Sequence, residues 1–177
     1  MATPATSALP AALRNLTAAA QRLDFLTLYR QCHRVPFLGP TLFSAFIRYA
    51  APYSASACPR VTQFDLGRCH IELEDRWRLR NPFGSVHALA LLNIGELASG
   101  LALLSRTQQL GRRAIVTKLS ASYHKKARGM VFAECLIPPE TVAWLELGEP
   151  GAVTVKTELT NLQGELLAVC EAEWTVK

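Results

Sequence analysis

Residues 80–100 read RNPFGSVHALALLNIGELASG. The stretch changes character halfway. Asn81-Pro82 and Gly84 are turn formers with Phe83 between them. From His87 to about Arg106 the sequence predicts one long helix, apolar on most of its circumference and interrupted by Asn93, Glu96 and Ser99. A helix of that kind must be covered nearly all round, and the chain on either side supplies the cover. After Gly111, the residues Ile115, Thr117, Leu119, Ala121 and Tyr123 alternate with Val116, Lys118, Ser120 and Ser122, which is the period of a strand. Gly129 turns into a strand over Val131 to Ile137, which Pro138-Pro139 break. Gly151 opens a third strand through Val153, Val155, Thr157 and Leu159, and Gly164 a fourth that ends near Trp174. Upstream, Val61 to Leu66 and Arg68 to Glu74 read as a hairpin through Gly67, with Cys69, Ile71 and Leu73 on one face. The order is helices, two strands, one long helix, four strands. It predicts an α+β fold, an antiparallel sheet curled around the helix. One sheet edge or helix face stays open in a single copy, so a second copy is expected to cover it.

A chain of 177 residues suits a single core. Half of the residues are hydrophobic and 19% are charged, which excludes a disordered tail protein and a collagen-like fibre. The longest apolar run, Ala88 to Leu104, is interrupted by polar residues, so no integral membrane segment is expected. The net charge of +5 arises within residues 1–60, where six arginines face Asp24 alone. These arginines are widely spaced, unlike the dense basic clusters interleaved with aromatics of a nucleic-acid reader, and no nucleic-acid partner is expected. Cys32, Cys58, Cys69, Cys135 and Cys170 are odd in number and lack metal-ligand spacing, so they are expected to be free thiols, neither a disulfide framework nor a zinc site.

Residues 2–21 are rich in Ala, Thr and Ser and hold no acid. That is the composition of a mitochondrial transit peptide. Leu13, Leu16, Ala20 and Leu23 also recur at helical spacing, which favours an amphipathic helix of the fold and a cytoplasmic protein. A second helix is expected over Thr41 to Ala50, ended by Pro52.

Three groups in the central stretch carry chemistry. Asn81 and His87 flank the turn, and His87 and Ala88 fall at the helix start, where backbone N–H groups are unpaired and the dipole is positive. An oxyanion fits there, with the Asn81 amide as a second donor. Glu96 is the one ionisable group between His87 and Leu104, among Leu92, Ile94, Leu97 and Leu101. Burial there would raise its pKa and suit it to act as base or nucleophile. The structural alternatives are a turn-opening Asn, a helix-start His, and a solvated stripe of Asn93, Glu96 and Ser99.

The pattern Asn81, Gly84, His87, Glu96 resembles the hotdog-fold thioesterases, in particular the phenylacetyl-CoA thioesterase group and a neighbouring branch described as a domain of unknown function. Ser120 to Gly129 resembles the strand-and-turn signature of that family, and Ala51-Pro52-Tyr53 and Asp75-Arg76-Trp77 resemble the unknown-function branch. The resemblance implies a hotdog domain over residues 56–177 behind an N-terminal helical extension over residues 1–55. It implies hydrolysis of a fatty or aryl acyl thioester, acyl-CoA or an acyl-carrier thioester, within lipid metabolism; the alternatives are a non-catalytic acyl-CoA or lipid-binding module and a hotdog dehydratase, whose usual His and acid placement differs from this one. Asn81 and the Ala88 N–H would polarise the thioester carbonyl, Glu96 would activate water or attack, and His87 would assist. Lys125, Lys126 and Arg128 would meet the phosphates of CoA or form a solvated basic turn, and Thr117, beside Val116, would stand near the reaction centre; no metal and no other cofactor is implied. Where relatives have Gly-Gly after the His, this chain has Ala88-Leu89. The resemblance also implies a homodimer or a dimer of dimers, in which the Asn and His of one chain meet the acid of the other.

Overall fold

The computed structural model describes residues 24–177, so the expected helix through Leu13, Leu16 and Leu23 lies outside the described residues. Asp24 starts the first described helix, α1 (Phe25–His33), because its carboxylate accepts the Leu26 and Thr27 N–H groups. Its carboxyl is held below the usual range, first by the hydroxyl of Thr27. Helix α2 (Gly39–Ala50) begins two residues before the expected Thr41, with Pro40 in its first turn. Pro52 ends α2 but also opens a short helix, α3 (Pro52–Ala55), since a proline at the first helical position loses no hydrogen bond. Strands β1 (Arg60–Asp65) and β2 (Arg68–Leu73) form the expected hairpin through Gly67. A 3-10 turn (Trp77–Leu79) and the Asn81 loop lead into α4 (Ala88–Gln109). Then follow β3 (Ala114–Tyr123), β4 (Val131–Leu136), a helix α5 (Pro139–Leu147), β5 (Gly151–Asn161) and β6 (Leu166–Val176). Helix α5 was not expected: Pro138-Pro139 ends β4 and at once fixes φ for a helical first turn.

The six strands of the described residues form one antiparallel sheet in the order β1-β2-β4-β5-β6-β3. The sheet wraps α4, as the order of elements predicts. Helix α4 is long and apolar enough to cross a membrane, yet Ile94, Ala98, Ala102 and Leu103 are fully enclosed by the sheet. Two glycines let it lie close to β6. A Cβ on Gly95 would fall 2.5 Å from Cys170 Sγ, and one on Gly100 would fall 3.1 Å from the Trp174 ring. The Thr157 hydroxyl of β5 donates to the Gly95 carbonyl at 3.0 Å and fixes the helix against the sheet. Leu26, Phe43 and Ile47 of α1 and α2 join the same buried cluster as Val61 and Phe64. All five cysteines are free, and burial pushes Cys135 up to about 12 and Cys170 up to about 11.

Candidate active site

The loop before α4 is built by Asn81. Its Oδ1 accepts the N–H groups of Phe83 (3.0 Å) and Ser85 (3.3 Å), and its Nδ2 donates to Ser85 Oγ at 3.1 Å. Gly84 takes the left-handed conformation, φ +68°, that closes this turn. The loop is then pinned from outside by Asp75, a residue the sequence reading passed over as a site element. Asp75 receives Arg80 Nε at 2.8 Å and the Gly129 N–H at 3.1 Å, so one carboxylate joins the Asn81 loop to the β3–β4 turn. The Arg80 guanidinium holds the Asp75 carboxyl below the usual range.

His87 is the N-cap of α4. Its Nδ1 accepts the Leu89 N–H at 3.1 Å, so in the neutral ring the proton resides on Nε2, and the imidazole is exposed to solvent. The N–H of Ala88, the next donor along, has no hydrogen-bond partner within the described residues. Ala88 lines a cleft of about 310 Å³ together with Asn81, Ser85, Tyr123, Lys125 and Lys126. Tyr123 closes one side by donating its hydroxyl to the Ala88 carbonyl at 2.9 Å. The hydrogen bond ties the end of β3 to the first turn of α4. A wider hollow of about 600 Å³, with the exposed Trp77 and with Arg78, lies on the other side of Asn81.

The structure thus brings together Asn81, Ala88, Lys125 and Lys126, with His87 at the same helix start. Lys125 is paired with Glu165 at 2.7 Å. Arg128 is exposed in the same turn, beside Asp75 and outside the cleft lining. Thr117 stands elsewhere: it sits at a bulge in β3, and its hydroxyl donates to Glu173 of β6.

Glu96 is half-buried, and burial alone raises its pKa. Its carboxylate has no hydrogen-bond partner among the described residues, whereas its two polar neighbours do: Asn93 accepts the Ser54 hydroxyl at 2.9 Å, and Ser99 is buried with its hydroxyl on the Glu96 carbonyl oxygen. The three do not form a solvated stripe. Nine residues at 1.5 Å each put Glu96 about 13 Å along the axis from His87, so Glu96 does not meet the cleft of its own chain. Among the described residues no group of three or more His, Cys, Asp or Glu comes together to hold a metal.

Residues 39–176 match the family model described as Domain of unknown function (DUF4442). The chain belongs to this family. Solved structures place the DUF4442 chain among hotdog folds. It is similar to the structural-genomics protein APC5556, at 26% identity and a TM-score of 0.70, over 88% of this chain and 99% of that one. It is similar to PA5026 from Pseudomonas aeruginosa, a protein of unknown function described as a "Probable Thioesterase", at 20% identity and a TM-score of 0.69, over 78% and 95% of the two chains. It is also similar to the phenylacetic acid degradation protein PaaI from Thermus thermophilus, at 16% identity and a TM-score of 0.57, over 70% and 97%. A search of curated protein sequences finds no match. At these identities the likeness to PA5026 and PaaI establishes the fold of the DUF4442 chain, a hotdog sheet around a central helix.

Proposed function

We propose that the protein hydrolyses acyl thioesters, acyl-CoA foremost, at a site completed by a second copy of the chain. The observation that carries this reading is the Ala88 N–H at the positive end of α4, unpaired among the described residues, on a residue that lines a cleft with Asn81. A thioester carbonyl polarised there becomes a tetrahedral oxyanion when water or a carboxylate adds to it. Glu96 supplies the complementary group, a half-buried carboxylate of raised pKa that accepts the proton of the attacking water. The C–S bond then breaks, the acid is released, and the departing sulfur takes up a proton. His87, with its proton on Nε2, is the donor at the same helix start.

Two surfaces support a second copy. Among the described residues strand β3 pairs only with β6, and it carries the exposed Ile115 and Leu119. Leu89 of α4 is 59% exposed in the first turn of a helix whose Ile94, Ala98 and Ala102 are fully buried. Antiparallel pairing of two α4 helices brings the N-terminus of one toward the middle of the other, and Glu96 of the partner subunit then faces Asn81. Lys125 and Lys126 at the cleft rim suit the phosphates of CoA. A panel of fatty and aryl acyl-CoA esters assayed for thiol release by the purified protein tests the reading. Binding of the esters without turnover would make the protein an acyl-CoA-binding module instead.

A further inference from the structure

Between Phe25 and Phe64 the chain holds Arg30, Arg34, Arg48 and Arg60 and no acidic residue. This segment also carries the most exposed large hydrophobic side chain among the described residues. Pro36, Phe37 and Leu38 form a tight turn in which the Leu38 N–H donates to the Pro36 carbonyl at 2.8 Å, with Phe37 at φ +62°. That is the strained γ form, in a region of backbone space that an aromatic residue rarely enters. The turn thrusts the Phe37 ring outward, where it is 100% exposed. Helix α2 continues the apolar surface from there. Phe43 and Ile47 face the core, while Leu38, Leu42, Ala45 and Tyr49 follow at steps of four, three and four along the outer side. Val35 and Leu42 are 41% and 43% exposed beside the turn. Among the described residues, Arg34 and Arg48 have no acidic partner, and Arg30 has only the solvent-exposed Asp65 at 3.5 Å.

We infer that the α1–α2 turn and the outer side of α2 dock on an anionic phospholipid bilayer. The helix lies in the interface, Phe37 and Leu42 enter the acyl boundary, and Arg34 and Arg48 meet the headgroups. The exposure favours a fluid surface, because the Phe37 ring stands wholly free of the protein at the turn and Leu38 and Leu42 continue the apolar surface along α2. The charge selects the lipid: Arg60 and Arg30 are paired with Glu72 and Asp65, but Arg34 and Arg48 have no acidic partner among the described residues, and they gain from anionic headgroups and little from neutral ones.

Vesicle flotation with the full chain tests this, comparing phosphatidylcholine vesicles with vesicles that also hold phosphatidylglycerol. The expected result is binding to the anionic vesicles that weakens with salt. It should fall at least about tenfold in Phe37→Ser with Leu42→Ser, and about fivefold in each of Arg34→Gln and Arg48→Gln. Phe37→Gly is the folding control, since glycine adopts the positive φ without strain: its melting temperature should rise while vesicle binding falls. A loss of both stability and binding in that variant would make Phe37 structural and overturn the inference. So would equal binding by the doubly substituted chain, no binding to either vesicle, or a drop in sedimentation coefficient on that substitution, which would put a second copy on this face. Glu96→Gln should bind vesicles like the parent, so this result stands apart from the thioesterase reading.

Discussion

The N–H of Leu89 donates to Nδ1 of His87 at 3.1 Å, so the first turn of the central helix and the tautomer of the histidine are set by one hydrogen bond. Capping and proton donation are therefore separable. His87→Ala should lower stability by about 1 kcal/mol through loss of the cap, and His87→Ser should restore it, because serine is a good N-cap. Neither variant has the Nε2 proton. Turnover should fall in both alike, and thermal melts beside thiol-release kinetics check the two halves. Recovery of turnover in His87→Ser would reduce His87 to a cap.

Asn81 poses the same question in a different form. Its Oδ1 holds the turn, whereas only its Nδ2 is a donor, and that donor now rests on Ser85. Asn81→Asp keeps the acceptor and removes the donor. The melting temperature should be nearly unchanged while kcat drops about a hundredfold, the scale of one oxyanion donor. A rise in KM alone would assign Asn81 to binding or to the turn.

Glu96 gives a prediction with a pH axis. Burial raises its folded pKa above the ordinary 4.5, so the folded chain keeps this proton longer than the unfolded chain does. The associated stabilisation is fully present below about pH 4.5 and is lost as pH rises through the folded pKa. Relative to Glu96→Gln, the wild-type melting temperature should therefore decline from about pH 4.5 upward and then level off. The same variant should release thiol at least about a hundredfold more slowly. Melts at several pH values and a progress curve at neutral pH check it.

The central helix, the strand-turn-strand order and the turn around Gly84 were legible because each rests on local chemistry: period, glycine and proline. What was hidden is long-range. Nothing in the spacing of Asp75 and Gly129, 54 residues apart, announces that one carboxylate joins their loops. Helix α5 was hidden by ambiguity, since Pro138-Pro139 breaks a strand and starts a helix with equal ease. Of the polar set Asn93, Glu96 and Ser99, the sequence could not say which member lacked a partner, because Ser54, which takes Asn93, comes from another helix. Thr117 shows the opposite failure: an alternating strand pattern conceals the bulge that turns its hydroxyl to Glu173.

The separation of Glu96 from its own cleft leads to the last prediction. About 13 Å of helix axis lies between Glu96 and His87, so a single chain does not bring both to one carbonyl, whereas the proposed pairing of two α4 helices would. Asn81→Asp and Glu96→Gln should each be inactive alone. Mixed under conditions that exchange subunits, they form heterodimers in which one site carries both defects and the other carries neither. Activity per heterodimer should return to about half of the wild-type value by site counting. Sedimentation should show at least a dimer throughout. A monomer in solution, or exchanged mixtures that stay inactive, would confine Glu96 to its own chain and leave the cleft at Ala88 without its base.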